Sequence, residues 1–197
     1  TGPFEVAMSL EDAGNSSADG TDLGVAGRIK WSGDSINGSI NGGYWNGVNN
    51  LDDAYQLGAG IGFSLGDMAS LSIGGAIGHT HTSVVSATSP VNCGLVCAGG
   101  SGQNWWGVSA LGSMNLSDAV HAELAYGFKR YGDDDTGITD DVRVHAVLAG
   151  IYYDPVSQLT IGLEGEWSNT RYEWDAPAGF SAKTNTFQVD LVTVFRF

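Results

Sequence analysis

The sequence predicts an all-β fold, an antiparallel, up-and-down transmembrane β-barrel to which this chain contributes ten strands. Three observations predict it. Ten segments alternate apolar and polar residues with period two. The segments run to about 9–11 residues, the span a tilted strand needs to cross a bilayer, whereas strands of soluble sheets average nearer 5–6. Their connections alternate between short turns and long polar loops, as the two ends of an outer-membrane barrel do.

The first segment, FEVAMSLE, sets Phe4, Val6, Met8 and Leu10 against Glu5, Ala7, Ser9 and Glu11. LGVAGRIKW sets Leu23, Val25, Ile29 and Trp31 against Arg28 and Lys30. SINGSINGGY opposes Ile36, Ile40 and Tyr44 to Asn37, Ser39 and Asn41. YQLGAGIGFSL opposes Tyr55, Leu57, Ile61 and Phe63 to Gln56, glycines and Ser64. LSIGGAIGH turns Leu71, Ile73 and Ile77 outward, and WWGVSALGSMNL does so with Trp106, Val108, Ala110 and Met114. VHAELAYGFK sets Ala122, Leu124, Tyr126 and Phe128 against His121, Glu123 and Lys129. In VRVHAVLAGIY the apolar set reads as Val142, Val144, Ala146, Leu148 and Tyr152, against Arg143 and His145. LTIGLEGEW opposes Leu159, Ile161, Leu163 and Trp167 to Thr160, Glu164 and Glu166. The last, FQVDLVTVFRF, opposes Phe187, Val189, Leu191, Phe195 and Phe197 to Gln188, Asp190 and Arg196. Short turns fall at 32–34, 66–70, 117–119 and 154–158; long loops are expected at 12–22, 45–53, 82–103, 131–141 and 168–183. An even strand count puts both termini on the short-turn side.

Composition bounds the function. The chain has 197 residues, 30 of them glycine, and a formal net charge of -14. That charge repels nucleic acid, which excludes a phosphate-backbone binder. No run approaches the ~20 apolar residues of a membrane helix, but barrel strands hide half their residues from a hydropathy scale. Alternation alone fits a soluble sandwich as well as a barrel. Strand length, aromatics near strand ends (Trp31, Tyr44, Tyr55, Phe63, Trp106, Tyr152, Trp167, Phe195), and mid-strand charges of both signs favour the membrane. Residues 1–197 read as one such domain, or as the C-terminal portion of one, with a leader removed or an upstream part missing before Thr1.

Smaller constellations carry less. GAGIGF and IGGAIG look like phosphate loops but lie mid-strand with no helix following. The five aspartates of YGDDDTGITDD miss the calcium-loop spacing; they read as an exposed acidic loop able to bridge divalent cations to lipopolysaccharide phosphates. No other cofactor is expected. Cys93 and Cys97 suit a small loop disulfide in an oxidising compartment, rather than a zinc site, which would need further ligands.

The closing LVTVFRF, with Phe195 and Phe197, resembles the C-terminal aromatic signal that the barrel-assembly machinery reads on outer-membrane barrels. More specifically, GPFEVAMSLED, YQLGAGIGFSLG, NCGLVC followed by NWWGVSALGSMNLS, and the final strand resemble the general porins of alphaproteobacteria. That resemblance implies a sixteen-stranded homotrimer in the outer membrane of a Gram-negative bacterium, embedded in lipid and lipopolysaccharide. It further implies passive diffusion of small hydrophilic solutes, with a loop from the N-terminal half constricting the pore. Ten strands and no evident constriction loop depart from the family. Two readings follow: the C-terminal part of a porin, or a complete ten-stranded barrel of adhesin or omptin-like protease type. The protease would need an Asp–His couple, for which Asp140, Asp141 and His145 are the candidates, and a non-enzymatic pore is the expectation. The expected pore-lining residues are Arg28, Lys30, Gln56, Glu123, Lys129, Arg143, His145, Glu164, Glu166, Asp190 and Arg196.

Overall fold

A computed structural model describes residues 3–12, 23–46, 53–80, 103–133, 141–174 and 180–196. They form ten strands and, among the described residues, no helix. The strands are β1 (Phe4–Asp12), β2 (Leu23–Ser32), β3 (Ile36–Trp45), β4 (Ala54–Leu65), β5 (Ala69–Thr80), β6 (Gln103–Ser117), β7 (Val120–Asp133), β8 (Asp141–Val156), β9 (Leu159–Trp174) and β10 (Phe180–Phe195). They make one sheet in sequence order, every neighbouring pair antiparallel. β1 and β10 do not pair with each other, so the sheet is open between them.

The tight turns lie where glycine, aspartate and serine interrupt the alternation. At the first, Gly33 N–H donates to the Ile36 carbonyl at 3.0 Å and folds β2 onto β3. Two later hairpins carry register shifts, between Asn115 and Ser117 and between Tyr153 and Val156.

The strands outrun the sequence reading on the loop side. Residues 168–174 and 180–183, expected in a loop, continue β9 and open β10. Residues 131–133 and 141 likewise belong to β7 and β8. The outer face, apolar lower down, is polar along these extensions, so the apolar period of each strand does not run on into them. Residues 12, 45 and 103 also belong to strands β1, β3 and β6, while 13–22, 47–52, 82–102, Cys93, Cys97, Asp140 and Phe197 lie outside the described residues.

Register sorts the side chains into two faces, because directly paired residues point the same way. On one face lie Phe4, Ile29, Ile40, Leu57, Ile73, Val108, Leu124, Ile151, Leu163 and Leu191; most of the exposed large hydrophobics belong to it. The other face carries Arg28, Asn41, Gly58, Ala76, Gly107, Lys129, Val144 and Thr170 in one continuous cross-strand row. The buried Trp45, Ala54, Trp105, Lys129, Val142, Tyr152 and Thr160 all share this second face. A concavity of about 580 Å³ crosses it from Asn37 on β3 to Glu166 on β9. The sheet therefore curls with its polar face inside and its apolar face outside.

Candidate functional site: the concave face

The wall of the concavity has two halves. Across β3–β5 it is nearly bare: Asn37, Ser39, Gly58, Gly60, Gly62, Ser72 and Gly74 line it. These are the glycine-rich stretches of the sequence, and each inward glycine or serine widens the space that a longer side chain would fill. Across β7–β10 the wall carries charge from Glu123, Lys129, Glu164, Glu166 and Asp190, and β1–β2 add Glu5, Arg28 and Lys30.

Five of these charges, Glu5, Arg28, Lys129, Glu164 and Asp190, are held by local contacts. Arg28 pairs with Glu5 across β1–β2. Lys129 is only 5 % exposed; its ammonium lies 4.4 Å from the Trp105 ring centre and 4.6 Å from that of Tyr131. Gln188 donates to both carboxylate oxygens of Asp190, at 3.0 and 2.8 Å. Tyr152 donates to Glu164 at 2.8 Å and stacks on His121 with ring centres 4.8 Å apart. Its ring lies over Gly150 and Gly162, where any Cβ would clash with it. Trp45 covers Gly24 and Gly43 in the same manner.

At the turn end, one network ties four strands. His121 Nδ1 lies 2.9 Å from Asp154, Thr160 donates to the same carboxylate, and Arg196 donates to Thr160 at 3.1 Å. β7, β8, β9 and the end of β10 are thereby joined. Alternation puts His121, Thr160 and Arg196 on the polar face and Asp154 in a turn; it does not bring them together, because they come from four separate segments.

Arg28, Lys30, Gln56, Glu123, Lys129, Glu164, Glu166, Asp190 and Arg196 all fall on the concave face, as grouped from the sequence. Arg143 and His145 do not, which corrects their assignment. His145 pairs with Phe128 and Arg143 with Arg130, both on the apolar side, while Val142, Val144, Ala146, Leu148 and Tyr152 turn inward. The reason is that residues 146–153 are apolar or glycine throughout, so β8 carries little face information of its own. Its neighbours set the register, and a one-residue slip would invert every side chain. Tyr152 consequently leaves the outward aromatic set.

The Asp141–His145 pairing considered for a protease is not formed. Asp141 is buried on the outer face, bound by Arg130 at 2.9 Å and by Arg143 Nε at 2.8 Å. His145 Nδ1 lies 2.9 Å from the Tyr126 hydroxyl. The inward Trp45, Trp105 and Tyr131 were not singled out from the sequence. The signal available was the adjacency of Trp105 and Trp106, which in a strand must face opposite ways. No known family model matches the chain, and no characterised protein matches it in sequence.

Proposed function

We propose that this chain forms the wall of a water-filled outer-membrane pore, through which small hydrophilic solutes and ions diffuse passively. One observation carries the reading: the sheet is inside-out. Among the described residues the only buried apolar side chains are Trp45, Ala54, Trp105, Val142 and Tyr152, while leucines, isoleucines and aromatics crowd the convex face. In water that surface would far exceed the apolar patches soluble monomers tolerate. Against lipid it is the expected exterior, and the polar concavity becomes the lumen.

The unpaired edges of β1 and β10 place one demand on this reading. Unpaired backbone groups cannot remain in hydrocarbon. Either these strands pair with each other, or further strands complete the wall. A homotrimer, and recognition of the C-terminal aromatics by the assembly machinery, belong to the porin form of this proposal. No covalent chemistry is required of the lumen. With Arg143 removed from its wall, the remaining inward charges and the acidic chain give a weak preference for cations.

Planar-bilayer recording tests the proposal. The purified, refolded chain should give stepwise conductance, and should migrate on gels at different positions before and after heating. A chain that folds in water without detergent, migrates identically in both states and gives no steps would overturn it.

A further inference from the structure

The outer face of β7–β10 holds a line of cations. Arg130 is paired with Arg143, Arg143 with Arg171, and Arg171 with Lys183. One basic residue from each of four adjacent strands thus lies on a single cross-strand row, spanning about 14 Å at the usual strand spacing. Like charges placed directly opposite are unfavourable, so such a row calls for anions.

The described residues supply two. In the next row toward the loops, Asp141 binds Arg130 and Arg143, and Glu173 binds Arg171 at 2.8 Å with Arg143 at 3.5 Å. Among the described residues, four cations against two carboxylates leave a local excess of two positive charges, on a chain whose net charge is -14. Lys183 has no acidic partner among the described residues. The other titratable side chain facing the row is His145, in the row below and against Tyr126. A groove of about 360 Å³ opens here, lined by Arg143, His145, Asn169, Arg171, Ser181 and Lys183.

Depth identifies what lies against the groove. Below the cations come Phe128, His145, Asn169 and Asn185, and below these Tyr126, Val147, Trp167 and Phe187. Everything further down this face to the turns is apolar or small. The cations therefore stand just above the upper aromatic edge of the apolar band, at the level of lipid headgroups.

We propose that this row binds the phosphates of an anionic lipid headgroup in the outer leaflet, a proposal that rests on the membrane reading given above. Guanidinium forks grip phosphate oxygens in pairs, and an extended row suits a headgroup bearing more than one phosphate. The groove then fixes one lipid at the junction of β8, β9 and β10.

The test uses the full chain refolded into zwitterionic bilayers, with and without added bis-phosphorylated lipid A. Retained lipid is counted by native mass spectrometry after release into uncharged detergent. The unaltered chain should retain lipid A, and R143Q/R171Q/K183Q should weaken retention about tenfold or more. K183Q alone, which breaks no ion pair among the described residues, should fold and lose part of that affinity. R28Q in the lumen should leave it unchanged. Equal retention by all variants, or of a dephosphorylated lipid, would overturn the inference. So would full protection of the site by millimolar inorganic phosphate alone, which would make free phosphate the ligand. A chain that inserts into bilayers without selecting lipid A sinks this inference only; one that never inserts sinks the pore as well.

Discussion

The outer faces of β1–β6 and β7–β10 share one strand geometry but end differently on the loop side. Across β1–β4 the apolar residues run almost to the last paired position: Leu10, Leu23, Tyr44 and Tyr55. Across β7–β10 they stop earlier, at Phe128, Val147, Trp167 and Phe187, and the strands continue upward through rows whose outer face is polar. One half of the wall therefore ends at its apolar edge, and the other projects beyond it. Pairing, rather than local alternation, assigns a residue to the concave or the convex face. Arg143 and His145 are polar and outward, and Val142 and Leu148 are apolar and inward, because their neighbours' registers leave no other arrangement.

The largest expected effect contrasts the two faces at mid-height. Leu124→Arg places a guanidinium in the middle of the outer apolar band and should cost about 2–4 kcal/mol of folding stability in a bilayer. Ser109→Arg, on the bare inner wall, should fold normally and lower conductance. Denaturant titration of both variants in lipid vesicles, beside single-channel recording, reads the contrast. Equal destabilisation of the two would remove the distinction between faces.

The next effect separates inward from outward charge. Glu166 is exposed on the concave wall, so Glu166→Gln should shift the reversal potential in a KCl gradient away from cation preference. Arg143→Gln removes a charge of the opposite sign from the other face and should leave the reversal potential where it was. A shift from the Arg143 variant comparable to that from Glu166 would return Arg143 to the concave face.

The smallest effect concerns the projecting rim. Burial opposes ionisation of Asp141, but hydrogen bonds and charge from Arg143 and Arg130 outweigh it and hold the carboxyl below the usual carboxylate range. A lowered folded-state pKa contributes stability that is present above about pH 4 and lost as the pH falls through the lowered value. Asp141→Asn should therefore weaken the folded sheet slightly at neutral pH and make no difference in strong acid. Heat-modifiable migration across a pH series gives the answer; a variant weakened equally at every pH would show that the ion pairs contribute nothing.

Much of the fold was legible in the alternation. The strand count, the short turns and the inward or outward sense of nine strands follow from residues such as Phe187, Val189 and Leu191 set against Gln188 and Asp190. β8 was not legible, since Ala146 to Tyr153 offers an apolar residue or glycine to either side. The rim was not legible for the opposite reason. Ser168–Glu173 and Ser181–Thr186 are largely polar on both faces, so Arg171 and Lys183 read as loop residues. A cationic row built by one residue from each of four strands leaves no trace in any single segment; only the register assembles it. The inward aromatics were hidden because their contact partners are glycines on neighbouring strands, as with Tyr152 over Gly162.

The most direct measurement is an alternation scan of accessibility in lipid bilayers. In a background lacking Cys93 and Cys97, single cysteines at Ala122, Leu124 and Tyr126 on β7 would be compared with those at Glu123, Ala125 and Gly127. Each would carry a spin label probed by dissolved oxygen and by a water-soluble nickel chelate. The inside-out sheet predicts oxygen access at 122, 124 and 126 and nickel access at 123, 125 and 127. Nickel access at 122, 124 and 126, with the other three shielded, would contradict it.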